Sequence, residues 1–368
     1  MPLMAVHPAE HIKDELRERG MTQRELAAQL GMKPSNLCRM LKDRETVTPS
    51  MAVKLEAALG IPADFWLRCQ VGYERDTAAI AERDKRELAA AGEEKALAAV
   101  FNLPELYARL KVNPYAFAQE KLRRLAEIFG APPSLLPETL PARSGRYKRS
   151  GALDTDERNL RTWEALAYVS ARNNPPRAPY APGNAKAAAE EIAAAAHRGG
   201  ISDAEIKEIL GRRGVSYSVV GKLGKTPVDA YSAWVGEYPA VVVTHRRDDA
   251  DTLVFDTLHE LGHIALHLRP GGGAFVSAGD NADNAKEREA DKFAEDALIP
   301  RGTWARIMKT SARSLSCGDI VKILTAKAAE ERLNPRLVLW RYRFETRRFA
   351  LRGVKTARIE RPLQENIV

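Results

Sequence analysis

The sequence predicts a multidomain α+β protein, and three observations predict it. Residues 9–73 carry short apolar stripes at helical spacing, broken by Gly and Pro. After Gly214 the apolar period falls to two, as in half-buried strands. Then His259 and His263 stand four residues apart, which puts two imidazoles on one face of a helical turn. A chain of 368 residues is too long for one small core. The expected divisions are an all-α domain over 1–75, a helical middle region over 76–213, an α+β domain over 214–310, and a helical extension with a basic tail over 311–368.

The first domain reads as helices with short connections. Thr22 and Glu25 form a capping box, Leu26, Ala27 and Leu30 make one apolar face, and Gly31 ends the helix. Lys33-Pro34-Ser35 opens the next helix, with Leu37, Met40 and Leu41 inward. Thr48-Pro49 starts another, Gly60 closes it, and Phe65-Trp66 begins the last, with both aromatics expected in the core. Helix, tight glycine turn and a short polar-faced helix is the sequence form of helix-turn-helix. Lys33, Ser35, Asn36 and Arg39 suit contact with base edges and phosphates, and Thr22 and Gln23 suit a phosphate held on free amides. Acidic residues such as Glu10, Asp14, Glu15 and Glu18 nearly cancel the segment's basic charge, so DNA affinity would depend on a homodimer. The same helices could instead recruit a protein.

Thr22-Gln23-Arg24-Glu25-Leu26-Ala27, Thr48-Pro49, Ala58-Leu59-Gly60 and Phe65-Trp66-Leu67 resemble the XRE class of helix-turn-helix, and HigA-type antitoxins in particular. That resemblance implies binding to a double-stranded DNA operator.

From Asp76 to Val100 the Ala, Glu, Lys and Arg content reads as a solvated connecting helix. Helical sequence runs on to Phe129, and a basic stretch from Pro141 to Ser150 reads as an exposed loop or a second phosphate contact. Ala185 to Arg198 is an alanine-rich helix. The three cysteines, Cys38, Cys69 and Cys317, include no CxxC pair and read as small buried hydrophobes in a reducing compartment. No run of about 18 apolar residues and no secretion signal is present, so the expectation is a cytoplasmic protein that meets no membrane. Ten basic residues against Glu345 and Glu360 over 332–361 equal the formal excess of +8, which makes this tail a candidate contact for nucleic acid or an acidic partner.

In the α+β domain, residues 215–220, 231–235 and 240–244 read as strands of a small antiparallel sheet, with Gly236 to Pro239 as a turn. Asp256 to Leu268 is the expected helix that carries the histidines. Glu260 sits roughly 100° round the helix from His259. It cannot ligate the same ion, but it can reach a water there as general base. Gly262 serves close backbone packing. Arg269 stands where a metzincin would have its third histidine. His267 lies about 12 Å along the axis from His259, too far to share one zinc with it. The third ligand is then a carboxylate. Glu287, with Asp291 one turn on to accept from a ligand histidine, is the first candidate, in the manner of gluzincins, and Glu289 is the second.

Residues 214–300 resemble the ImmA/IrrE family of metallo-endopeptidases. The match rests on Phe255 and Leu258, on His259-Glu260-Leu261-Gly262-His263 with His267, and on Glu287-Arg288-Glu289-Ala290-Asp291-Lys292-Phe293-Ala294. Asp256 departs from the Thr of many members and questions the local helix cap. The resemblance implies a zincin-like domain that uses Zn2+ to hydrolyse a regulatory protein, a repressor or toxin–antitoxin type of partner. Glu260 would pass the proton on to the leaving nitrogen, with His245, Tyr217 or Tyr231 stabilising the oxyanion. The alternatives are a non-catalytic HigA-like repressor whose second half senses metal or ligand, and a peptidase whose helix-turn-helix recruits its substrate.

Overall fold

A computed structural model describes residues 4–140, 155–246, 249–271, 274–277, 285–309, 316–348, 351, 357–359 and 362–368. The basic stretch Pro141 to Ser150 lies outside the described residues, as do Arg352, Lys355, Glu360 and Arg361 of the basic tail. The chain forms two compact units, one of residues 1–92 with 117–119, the other of 93–116 with 120–368. The first boundary falls inside a continuous helix, α5 (Ala63–Val100). Residues 63–75 and the solvated stretch after them are therefore one element, because nothing between Ala63 and Val100 breaks a helix as Pro does.

The first unit packs α1 (Pro8–Glu18), α2 (Gln23–Gln29), α3 (Pro34–Lys42), α4 (Pro49–Leu59) and the start of α5. Each begin signal has a visible cause. His7 Nδ1 accepts from the Ala9 amide at 3.0 Å, Thr22 and Glu25 close a reciprocal capping box, and Thr48 caps α4. Gly31 and Gly60 take φ of 68° and 69°, the left-handed conformation that ends a helix. Ile12, Leu26, Leu37, Leu41, Leu55 and Trp66 form the buried centre. Phe65 does not join them; it is exposed and meets Trp66 edge-on. Adjacent helical residues point about 100° apart, so only one of the pair can face the core.

The second unit is built round a mixed sheet. Its strands are β1 (Ser216–Val219), β2 (Ala230–Val235), β3 (Tyr238–Val243) and β4 (Ala274–Ser277), in the order β1-β3-β2-β4. The β2–β3 and β2–β4 pairs are antiparallel, but β1 runs parallel to β3. The expected purely antiparallel sheet is corrected at this pair, since residue alternation gives a strand's faces but not its neighbour. The turn is also shorter than expected. Gly236 at φ 58° and Glu237 form it, and Tyr238 and Pro239 already pair with β2.

Helices before the sheet belong to this unit's core. After α6 (Leu103–Arg109), α7 (Ala118–Phe129) and the single turn α8 (Leu136–Thr139) come α9 (Glu157–Asn173), α10 (Asn184–Arg198) and α11 (Asp203–Arg212). Ala185, Ala188, Ala189 and Ile192 of α10 are buried in one cluster with Leu258 and Leu261. Alanines on that face let α10 lie close to the histidine helix, so this part of the helical middle region is packed core. Next come α12 (Ala250–Leu266), α13 (Ala285–Leu298), α14 (Arg301–Met308), α15 (Cys317–Glu330) and α16 (Pro335–Thr346).

Helix α16 revises the reading of the basic tail. Leu337, Val338, Leu339 and Trp340 are buried, and Arg341 is only 4% exposed. Its guanidinium donates to the carbonyls of Glu295 and Ile299 at 2.7 Å each and lies over the Trp304 ring. It thereby closes the C-terminal end of α13, whose last carbonyls have no partner within the helix. Arg336 donates to Asp251 at 3.2 Å. Arg332, Arg347, Arg348 and Arg358 remain exposed. The cysteines also differ from expectation: Cys38 and Cys317 are exposed and Cys69 is half-buried, because each faces away from its helix's apolar stripe. Among the described residues no helix is long and apolar enough to cross a membrane.

Candidate metal centre and helix-turn-helix surface

The histidine helix starts earlier than expected. The Asp249 side chain caps α12 by accepting from the amides of Asp251 and Thr252, so Asp256 lies inside the helix and not at its cap. His259, Glu260 and His263 are all buried at its middle. Opposite them, α13 runs unusually close. A β-carbon on Gly262 would meet Ala290 Cα at 3.0 Å, its carbonyl oxygen at 3.1 Å and Phe293 Cδ1 at 3.2 Å. Glycine here lets the two backbones approach until carboxylates on α13 reach imidazoles on α12.

Three donor groups converge at that approach. His259, His263 and Glu287 each offer a ligand atom, all within 4.8 Å of one another. His263 Nε2 lies 3.0 Å from His259 Nε2, and Glu287 lies 3.2 Å from His259 Nε2 and 3.5 Å from His263 Nε2. Two donors each 2.0–2.1 Å from a tetrahedral zinc stand roughly 3.4 Å apart. The spacing and the two-nitrogen, one-carboxylate donor set therefore fit zinc.

The surroundings fix each group. Asp291 receives His259 Nδ1 at 2.8 Å. His263 Nδ1 meets His267 Nδ1 at 3.0 Å, and His267 Nε2 meets Glu289 at 2.8 Å. Glu289, the second candidate for third ligand, is thus turned to His267 and away from the donor cluster. Phe275 of β4 stacks on the His263 ring with centroids 4.0 Å apart. Ser232 of β2 donates to Glu260 Oε2, while Glu260 Oε1 is buried with no hydrogen-bond partner.

Electrostatics report a cluster that wants a cation. Burial acts to lower the His259 pKa, but hydrogen bonds to Asp291 and Glu287 and the nearby Glu260 charge raise it to about 10. Burial acts to raise that of Glu287, yet hydrogen bonds from His259 and His263 hold it down to about 2. His267 is lowered, mainly by burial. The buried imidazoles and carboxylates thus favour positive charge in their midst, which a divalent ion would supply.

None of the three candidates for the oxyanion stands among these contacts. The Tyr217 hydroxyl donates to Asp203, and His245 Nε2 lies 2.9 Å from the same carboxylate. Tyr231 neighbours Ser232 on β2, so the two side chains take opposite faces of the sheet. Ser232 meets Glu260 while Tyr231 packs edge-on to Trp163. Ser232, Phe275 and the His267–Glu289 pair were not found from sequence. Alternation along β2 separates Ser232 from Tyr231, but only the three-dimensional arrangement says which face meets α12.

Gly262→Ala is a direct check on the close approach. Helix propensity alone favours alanine by about 1 kcal/mol. We expect instead a loss of about 1–3 kcal/mol from overpacking against Ala290 and Phe293, read by chemical denaturation, with weaker zinc uptake. A gain in stability would show that the helices have room to spare.

In the first unit, α2 and α3 flank the Gly31 turn, and Lys33, Ser35, Asn36 and Arg39 are all exposed. Ser35 and Arg39 are four residues apart and share a helix face with Asn36. Arg39 Nε pairs with Glu45 at 3.2 Å. Cys38, beside Arg39, is exposed on this surface as well. Gln23 is exposed, but the Thr22 amide and hydroxyl are both engaged by Glu25, at 2.7 and 2.8 Å. The capping box consumes the Thr22 amide, so it is not a free phosphate donor.

Residues 12–66 match the family described as Helix-turn-helix. The uncharacterized HTH-type transcriptional regulator YddM of Escherichia coli (strain K12) is 35% identical over 69 residues, covering 18% of this chain and 73% of that protein. The chain belongs to the helix-turn-helix family. Virulence-associated protein I of Dichelobacter nodosus is 29% identical over 85 residues, 23% of this chain and 76% of its own length. Two solved antitoxins are also similar to this helix-turn-helix protein. Antitoxin GraA is 28% identical, covers 23% of this chain and 91% of its own, and has a TM-score of 0.22. Pseudomonas aeruginosa antitoxin HigA, solved with the higBA promoter, is 25% identical, covers 22% and 90%, and has a TM-score of 0.21.

Proposed function

We propose that this helix-turn-helix protein binds double-stranded operator DNA through its first unit and, through its second, is a zinc-dependent endopeptidase that cuts a regulatory protein. The substrate would be a repressor or a partner of toxin–antitoxin type. One observation carries the enzymatic half: His259, His263 and Glu287 converge at ligand spacing beside Glu260, whose Oε1 is buried and unpartnered. Zinc bound there would supply Lewis acidity to a scissile carbonyl and to a water. The chain's own residues do the rest. Ser232 holds one oxygen of Glu260, leaving the other to take a proton and return it to the leaving nitrogen. Among the described residues, in the order β1-β3-β2-β4, β4 pairs only with β2, so its outer edge can accept an extended peptide as an added strand, beside Phe275 and His263.

The DNA-binding half rests on the family membership and on the exposed Ser35, Asn36 and Arg39 of α3. A homodimer would present two such helices to a two-fold operator. Asn36→Ala and Arg39→Ala are each expected to cost about 1–3 kcal/mol of sequence-specific binding. Fluorescence anisotropy with a duplex from upstream of the chain's own coding region measures this, and unchanged affinity would reject these residues as readers.

A second reading, a repressor whose second unit senses metal without cutting, is favoured by the hydrogen bond that already engages Glu260. The test is to incubate the zinc-loaded full chain with protein extract from its source cells and to sequence new N-termini by mass spectrometry. The proposal expects discrete new termini with wild type and none with Glu260→Gln. No new termini with either would move the weight to the sensing role.

A further inference from the structure

We propose that Glu289 and His267, neither of them a metal ligand, are positioning residues that set the proton arrangement of His263 and so keep its Nε2 lone pair aimed at the metal. The inference rests on the reading of His259, His263 and Glu287 as a metal centre. It adds two residues on which that centre depends.

Glu289 is 62% exposed, and an ionised carboxylate only accepts hydrogen bonds. Its contact with His267 Nε2 at 2.8 Å therefore requires a hydrogen on that nitrogen. A neutral imidazole with Nε2 protonated has a bare Nδ1, which can only accept. His267 Nδ1 faces His263 Nδ1 at 3.0 Å, so the hydrogen between them belongs to His263. A neutral His263 with its hydrogen on Nδ1 leaves Nε2 bare. That nitrogen is the one 3.0 Å from His259 Nε2 and 3.5 Å from Glu287.

The inner end agrees with this direction. Asp291 also only accepts, so His259 carries a hydrogen on Nδ1 and its Nε2 too is available to the metal. Each ligand histidine thus has its rear nitrogen committed, His259 directly to a carboxylate and His263 to a carboxylate through a second imidazole. Ring orientation is fixed as well. Phe275 stacks on His263 at an interplanar angle of 12°, and the His267 side chain is only 5% exposed. The i to i+4 spacing of His259, His263 and His267 puts all three on one stripe of α12 and its C-cap, and Glu289 reaches the last of them from α13. Supporting partners of this type typically change metal affinity by 10–100-fold when removed.

The test uses the full chain and zinc itself. Zinc affinity is measured by competition with a chromophoric chelator for wild type, His267→Ala, Glu289→Gln and Glu289→Lys. Long-range 1H–15N spectra of the metal-free proteins report which nitrogen of His263 holds the hydrogen. We expect the hydrogen on Nδ1 in wild type and zinc binding 10–100-fold weaker in His267→Ala. Glu289→Gln should keep near-wild-type affinity, because the amide carbonyl still accepts. Glu289→Lys offers a donor in place of the acceptor and should weaken zinc binding more than Glu289→Gln does. The surface position of residue 289 keeps that pair informative if His267→Ala fails to fold. A wild-type spectrum with the hydrogen on His263 Nε2, or equal zinc affinity in Glu289→Gln and Glu289→Lys, would overturn the proposal. Failure of the wild type to bind zinc would instead defeat the metal centre itself, and the spectra still decide the direction of the chain.

Discussion

Glu260→Gln is expected to leave zinc in place and to lower cleavage by about 10²–10⁴-fold, the usual contribution of a positioned general acid–base group. The substitution is nearly isosteric, and the amide oxygen can still accept from Ser232. Glu260 is fully buried and is not one of the three grouped donors, so the fold and metal content should survive. What is lost is the ability of the second, unpartnered oxygen to take up a proton. Rates are compared on whichever protein yields new N-termini with the wild type, with zinc content measured on the same samples. Equal rates at equal zinc content would remove Glu260 from the chemistry.

Glu287→Ala should have the larger effect on the molecule itself. It removes the one carboxylate among the three donors and breaks its buried pairing with His259 and His263, leaving His259 with Asp291 and the nearby Glu260 charge; breaking a buried pair costs about 3–5 kcal/mol. The pH response gives the sign. In the metal-free chain Glu287 is held down to about 2 from 4.5, so it stabilises the fold above about pH 4.5 and that support is lost as the pH falls toward 2. His259 is raised to about 10 from 6.5, so its support is complete below about pH 6.5 and is lost as the pH rises toward 10. Metal-free wild type should therefore be most stable between those limits, and Glu287→Ala should show a flatter profile by denaturant titration. Zinc has to displace the proton on His259, so its affinity should rise roughly tenfold per pH unit between about pH 6.5 and 9. An affinity independent of pH over that range would mean that His259 is already neutral.

The fold was readable from sequence where local chemistry decides it. Thr22 with Glu25, Gly31, Gly60 and Thr48 each occupy the cap that their side chain or backbone favours. The same holds for the donor cluster, since i to i+4 histidines and a one-turn Glu287–Asp291 pair are spacing rules of a single helix. What was not readable depends on which elements meet. Parallel pairing of β1 with β3, the packing of α10 against α12 and the burial of Arg341 involve partners far away in the chain. Ser232 and Phe275 are ordinary strand residues until β2 and β4 are placed beside α12. Phe65 and Cys38 failed for a simpler reason: an apolar residue at the wrong helical angle stays outside.

The metal centre is tested most directly by the zinc content of the full chain after stripping, reloading and dialysis, for wild type, His259→Ala and His263→Ala. Wild type should hold one tightly bound zinc per chain and neither variant any, with all three folded by circular dichroism. No zinc on the wild type, or zinc held equally by both variants, would contradict it.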